Sequence, residues 1–443
     1  FGPNVGRPVI RGMDGDRIRI LQNSGANMDA SALSNDHALP IDPLTTERIE
    51  VLRGPATLLY GGSAMGGVVN VIDNRIARER TFDAQGGVMG KAEMRAGGAA
   101  DERSTAAMVE AGHDKLVLHV DAFDRHTQNL RVPKDMTCGD GGPSNGRRVC
   151  NSASHSTGGA VGGTLMFDRG YLGLSTSEYR STYGTVAEPD VTIGMLRRHH
   201  VMEGLWREVG AFQALKFQLG HTQYRHTEFA SANAESTFKN NGHDFRFEGR
   251  QHAMQWNNGM QLDGTVGVQL ERNHLQAKAE DGSNTLLPPT RTRSAGVFTY
   301  QALTTSWGQL SAGARVEEVA VMSLEDHQGL LAQSKTFKPL NVALGAMRNL
   351  REGDAQNGWQ LTTNLSASQR APKDYELFAH GAHAATGTYE IGQPTNGLEK
   401  GTQLDVGGEW KRGAHKFGIT GFVSEFSNFI SLQSTNAAAH PPE

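Results

Sequence analysis

Seventeen histidines and two cysteines stand in this chain of 443 residues, and their spacing decides what chemistry they could serve. There is no P-loop lysine, no HExxH zinc-protease pair, no GxSxG nucleophile turn and no H-x-E with a paired CxxC. GGSAMGG at 61–67 has the glycines of a phosphate loop but neither its lysine nor a following helical pattern. EDHQG at 325–329 lies in a polar stretch without a nucleophile. These absences point away from an enzyme. Binding chemistry is better represented. His380 and His383 form an HxxH pair whose members point to opposite sides of an extended backbone. His126, His155, His226, His243, His274, His327 and His380 fall in stretches that read as polar connections, where imidazoles can collect metal loosely. His199, His200 and His221 read as strand residues facing a lumen or an interface. Cys138 and Cys150, in TCGDGGPSNGRRVC, are not a CxxC pair. They read as a disulfide closing a Gly/Pro/Asn-rich loop in an oxidising compartment.

The elements that must carry these residues follow from composition and period. With 43 basic and 47 acidic side chains the net charge is −4, which gives no electrostatic reason to expect nucleic acid. No apolar run approaches the roughly 18 residues of a membrane helix. Residues 1–78 read as a compact β-rich unit of short apolar runs broken by glycine: RIRILQNSG at 17–25, RIEVLRGP at 48–55 and GGVVNVI at 66–72. From about residue 86 the period is two. Leu116, Leu118, Val120 and Ala122 share a face against Val117, His119 and Asp121; Leu310, Ala312, Ala314 and Val316 do so against Arg315 and Glu317. Long strands with one apolar and one polar face suit a barrel with lipid outside and water inside. About fifteen strands are expected. Short connections alternate with long polar ones near 127–157, 183–195, 226–241, 273–290, 322–335 and 371–401, as membrane barrels require and soluble sandwiches do not. The end, STNAAAHPPE, reads as a loop, so further strands are expected beyond it.

VIRGMDGDRIRILQNSG at 9–25 and IDPLTTERIEVLRGPATLLYGGSAMGGVVNVI at 41–72 resemble the plug domain of TonB-dependent outer-membrane receptors. The resemblance implies an all-β membrane protein, with a plug (1–78, N-terminally truncated) inside an antiparallel barrel of the 22-stranded type (79–443, C-terminally truncated). The N-terminal TonB box and the last strands would lie outside this chain. It also implies a monomer in the outer membrane of a Gram-negative bacterium, in contact with lipid and lipopolysaccharide, working with the TonB-ExbB-ExbD complex.

Within that family, SNDHALPIDPLTTERIEVLRGPATLLYGGSAMGG, STYGTVAEPDVTIGM, YRHTE and QRAPKDYELFAHGAHAATGTYEIG are similar to the zinc-uptake (ZnuD-type) receptors. Carried over, that likeness makes Asp36, His37, Glu228 and His383 the ligands of a transported zinc ion, with Glu228 and His383 in external connections. No organic cofactor is implied. Two imidazoles and two carboxylates suit a tetrahedral zinc site, and the lack of thiolate suits a carrier that releases its ion. Asp36 could instead cap a turn, and Glu228 could be a solvated carboxylate. His380 and His226 are candidates for secondary metal or haem contact. The alternative cargo is haem iron or a ferric siderophore, since AHGAH offers axial ligands; a passive porin or adhesin is the remaining reading.

Overall fold

The computed structural model describes residues 4–62, 64–138, 144–256, 259–350, 358–383, 386 and 388–434. Ser63, the middle of HAATGTYE and the tail from residue 435 therefore lie outside the described residues.

The N-terminal unit is a four-stranded sheet: β1 (Ile18–Gln22), β2 (Gly25–Ala26), β3 (Arg48–Leu52) and β4 (Gly67–Ile72), in the order β2-β1-β4-β3. Asn23 and Ser24, both at positive φ, turn β1 back onto β2. β4 runs parallel to β1 and antiparallel to β3. Gly67 is required where it stands: its φ is +139°, and a Cβ would lie 2.9 Å from the Leu52 carbonyl.

A single antiparallel sheet surrounds this unit. Its strands are β5 (Gly87–Gly97), β6 (Glu102–His113), β7 (Leu116–Thr127), β8 (Ser154–Phe167), β9 (Gly170–Gly184), β10 (Val191–Val209), β11 (Phe212–Ala230), β12 (Asn233–Gln251), β13 (Met254–Gln255), β14 (Gln261–Ala279), β15 (Thr290–Thr304), β16 (Gln309–Ser323), β17 (Ser334–Phe337), β18 (Leu340–Asn349) and β19 (Gly358–Arg370). After the helix α1 (Asp374–Phe378) and a separate hairpin, β20 (His380–His383) with β21 (Thr388–Ile391), the wall resumes with β22 (Glu399–Arg412) and β23 (His415–Asn428). Fifteen of the wall strands are ten residues or longer. The ring order brings β23 beside β5. β5 and nearly all of β23 are exposed on both faces.

The two faces divide as the period of two requires. Leu116, Leu118 and Val120 are 48, 50 and 51% exposed, while the intervening Val117 and His119 are 2 and 4% exposed. On β16, Leu310 and Val316 face out and Arg315 faces in at 3% exposure. The connection expected at 226–241 is absent: β11 and β12 run straight through it, joined by Ser231 and Ala232. At about 3.3 Å per residue, a 19-residue strand spans about 60 Å, against an apolar band of about 25 Å. Its upper part therefore stands clear of lipid and needs no apolar face, which makes a strand look like a polar loop in the sequence.

Inward-facing charges on the wall are paired by the plug. Arg78 Nε donates to Glu203 at 2.8 Å, Arg75 Nε to Asp121 at 2.9 Å and Arg17 Nε to Glu399 at 2.8 Å. Arg125 of the wall meets Asp42 of the plug at 3.1 Å, and Lys373 meets Asp16 at 3.0 Å. Small residues admit the plug backbone between these pairs: a Cβ on Gly162 would lie 1.7 Å from the Arg75 carbonyl oxygen. Glu399 is fully buried and shared by Arg17 and Arg370. Removing one partner of a buried pair leaves the other charge without solvent or counter-ion. Glu399→Ala is expected to destabilise the fold by about 3–5 kcal/mol, read as a lower temperature at which folded, fast-migrating protein converts to the unfolded band on a gel. An unchanged conversion temperature would contradict this pairing.

Candidate metal centre

Three separate elements meet at one end of the ring. Asp36 and His37 lie in the plug connection between β2 and β3. Glu228 is on the inner face of β11, two residues before its end, and His383 closes β20. One donor atom from each of these four lies within 4.8 Å of the other three. His37 Nε2 is 3.3 Å from Glu228 Oε1 and 3.4 Å from Asp36 Oδ2, and His383 Nε2 is 3.5 Å from the same Glu228 oxygen. Glu228 and His37 are fully buried, and His383 is 1% exposed.

The surroundings use up the other polar atom of each residue. His37 Nδ1 donates to the Ala30 carbonyl at 2.9 Å, and His383 Nδ1 to Glu390 at 3.0 Å. Ser236 Oγ donates to Glu228 Oε2 at 2.7 Å, and Ser34 Oγ to Asp36 Oδ1. Fixing a proton on Nδ1 turns each Nε2 into a lone pair. The centre is then bordered by four acceptors: two imidazole nitrogens and two carboxylate oxygens. Asp36 Oδ2 and His383 Nε2 are buried without a hydrogen-bond partner. Acceptors 3.3–3.5 Å apart repel unless a proton or a cation lies between them. A tetrahedral zinc ion with bonds of about 2.0–2.1 Å spaces its ligand atoms about 3.3 Å apart, so the donor set and its spacing fit such an ion.

Without an ion the imidazoles take up protons instead. Burial opposes charge on His383, but Glu228 and Glu390 outweigh it and push its pKa up to about 10. Burial likewise opposes charge on His37, and Asp36 and Glu228 overcome it, raising its pKa.

Phe238 forms a lid of ring contacts, 5.3 Å from His37 and 6.1 Å from His383 between centroids. Tyr183 of β9 holds the plug loop through its hydroxyl, which accepts the Ala38 amide at 2.9 Å. Ser34, Ser236, Glu390, Phe238 and Tyr183 were not among the expected site residues. Ser34, Tyr183 and Glu390 lie in the segments similar to the zinc-uptake receptors, whereas Ser236 and Phe238 lie outside them.

The remaining candidates separate from the four. His226 packs on His37 at 4.3 Å between centroids, but its Nδ1 pairs with the Tyr224 hydroxyl and its Nε2 is 3.8 Å from Glu228. His380 stacks edge-on against Tyr389. Glu228 belongs to a strand, correcting the expectation of a loop. So do His126, His155, His226, His243 and His274, whereas His327 lies in a connection and His380 on the hairpin. His199 faces the lumen; His200 and His221 face outward. Cys138 and Cys150 are bonded to each other.

Comparison with known proteins places this geometry in context. Residues 1–68 match the TonB-dependent Receptor Plug Domain, and residues 114–440 match the TonB dependent receptor-like, beta-barrel family. The ferric aerobactin receptor of Klebsiella pneumoniae is 33% identical over 88 residues, 20% of this chain and 10% of that receptor. Among solved structures, the copper transporter OprC superposes with a TM-score of 0.78 at 16% identity, covering 96% of this chain and 65% of OprC. The siderophore receptor PirA from Pseudomonas aeruginosa gives 0.64 at 18% identity, covering 94% and 68%. The chain thus spans about two thirds of those structures, and the likeness to them is one of fold.

The raised His383 pKa carries a stability signature. A group whose folded pKa lies above its unfolded value stabilises fully below the unfolded pKa and loses that contribution as pH rises through the folded one. Metal-free protein is expected to lose thermal stability between about pH 6.5 and pH 10, with a shallower slope in His383→Gln. Equal slopes in the two proteins would show that His383 does not bear this proton.

Proposed function

Because this chain belongs to the TonB-dependent receptor family, we infer that it serves active import across the outer membrane and that its cargo is a zinc ion. Receptors of this family are outer-membrane barrels that work with the TonB-ExbB-ExbD complex. The observation that supports zinc is the closed set of four acceptors, each with its other polar atom already engaged. Two carboxylates and two neutral imidazoles carry −2, which a divalent ion cancels. Asp36 and His37 come from the plug, Glu228 from the wall and His383 from an external hairpin. A movement of the plug loop alone removes two of four ligands, so the ion can be released without disturbing the wall. Work on the plug from the periplasmic side is the step that TonB supplies in this reading.

The ferric-siderophore reading draws on the similarity to the ferric aerobactin receptor of Klebsiella pneumoniae. It needs a wide pocket of donors for a large chelate, and the four residues here are enclosed. Haem is less suited: His383 Nε2 faces Glu228 at 3.5 Å, inside a cluster with no exposed face for a porphyrin.

Isothermal titration of the purified receptor with zinc is expected to show one saturable site. Asp36→Ala combined with His383→Ala is expected to weaken it at least 100-fold. Glu390→Ala, which frees the His383 tautomer, is expected to cost about 10–100-fold. Both imidazoles must be neutral to ligate, so binding releases protons and affinity falls as pH drops from 8 to 6. A double variant that binds zinc as the wild type does, or a receptor that binds ferric siderophore and not zinc, would contradict the assignment.

A further inference from the structure

Asp36 and His37 come from the plug, Glu228 and His383 from the wall side, and one side chain stands on the line between them. Tyr375 lies in α1, which leads directly into β20 and His383. Its phenol proton is shared between two plug acceptors, a carboxylate oxygen of Asp16 and the Ala32 carbonyl, the latter at 3.2 Å. Asp16 stands just ahead of β1 and so moves with the plug sheet. Ala32 lies in the connection that carries Asp36 and His37, between Ala30, whose carbonyl orients His37, and Ser34, which orients Asp36. One hydroxyl thus ties the plug sheet and the ligand loop to the segment bearing His383. The Tyr375 ring packs on the cluster of Leu33, Phe238, Leu286, Leu287 and Ala379, in which Phe238 meets both ligand imidazoles.

The rest of this segment is fastened to the wall. Thr290 Oγ1 of β15 donates to Asp374 at 2.6 Å, and Leu377 and Phe378 pack on Val321 of β16. The His380 amide donates to the Leu286 carbonyl at 2.8 Å. Lys373 and Tyr375 reach the other way, the lysine to Asp16 at 3.0 Å. A polar cavity of about 190 Å³ borders the same line, with Asp16, Asn27, Ser31, Ala32 and Lys373 in its lining. It gives the ligand loop room to withdraw and its freed carbonyls access to water.

We propose that Tyr375 is a positioning residue of the zinc site, a latch that holds the plug ligands against the wall ligands until the plug moves. The cargo rests on the zinc reading; the latch itself rests on the contacts of α1. A hydrogen bond to a carboxylate is stronger than one to a neutral carbonyl. Displacement of Asp16 with the plug sheet therefore removes the stronger of the two anchors and leaves the loop on the longer one. Asp36 and His37 then withdraw, while Glu228 and His383 stay with the wall and hold the ion by two ligands.

Tyr375→Phe keeps the ring in its cluster and removes the phenol oxygen. Hydrogen–deuterium exchange of the metal-free receptor is the first test. Exchange over residues 28–34, where the Ser31 and Leu33 amides are bonded to Asp29 and to the Ala30 carbonyl, is expected to quicken about 10-fold, as loss of one hydrogen bond to a charged group implies. Exchange over residues 377–383, on the wall side, is expected to stay as in the wild type. Stopped-flow release of zinc to a chelator is the second test, with dissociation about 10-fold faster and association unchanged within about 2-fold. Asp16→Ala is expected to give the same changes, and the double variant to add less than about 2-fold, because both act through one bond. Unheated gel mobility checks folding; if Asp16→Ala does not fold, Tyr375→Phe decides alone. Unchanged exchange over 28–34, equal quickening on both sides of the line, zinc release at the wild-type rate, or multiplied effects in the double variant would overturn the latch. A wild type that binds no zinc would overturn the zinc reading instead, and the exchange measurement would still decide the latch.

Discussion

A charge on the inner face of a β-wall loses water once the lumen is filled, and it must then find a partner. The wall of this protein carries many such charges, among them Glu203, Asp121, Glu399 and Arg125, and the plug answers each with Arg78, Arg75, Arg17 and Asp42. Pairing of this kind is directional and intolerant of drift, because a displaced partner leaves a buried ion uncompensated. It fixes the register of plug against wall more firmly than apolar packing would. It also leaves the interface polar, so that water can replace protein partners if the plug moves.

The candidate metal centre inherits its geometry from that register. The Ala30 carbonyl and Ser34 orient His37 and Asp36 within their loop, and Tyr183 of the wall holds that loop in place. The hairpin carrying His383 brings its own orienting carboxylate, Glu390, and Ser236 comes from the strand next to Glu228. Asp36, His37 and His383 are thus aligned from within their own loop or hairpin and Glu228 from the adjacent strand, and these elements are brought together by the plug–wall pairs. Such an arrangement can be tight when assembled and weak when one element withdraws, which is the behaviour a carrier needs and a structural zinc site lacks.

Much of the fold was legible because the period of two reports directly on which atoms meet lipid. The alternation over 115–123 and 310–317 places Leu116 and Leu310 outward and His119 and Arg315 inward, where the folded wall has them. It failed where lipid no longer imposes it. The upper parts of β11 and β12 are polar on both faces because one meets solvent and the other the plug, so Glu228 read as a loop residue. The site was legible only through resemblance to a family, since neither period nor composition links positions 36, 228 and 383. Its supporting groups were hidden further, because Ser236 and Phe238 become neighbours of the ligands only through the register of β12 against β11.

Anomalous diffraction at the zinc edge from receptor crystals grown with zinc tests the central claim most directly. The account predicts one strong peak bounded by Asp36, His37, Glu228 and His383, with four ligand atoms at about 2.0–2.1 Å. A strong peak elsewhere with none among these residues, or density there filled by a side-chain hydrogen-bond network at full zinc saturation, would contradict it.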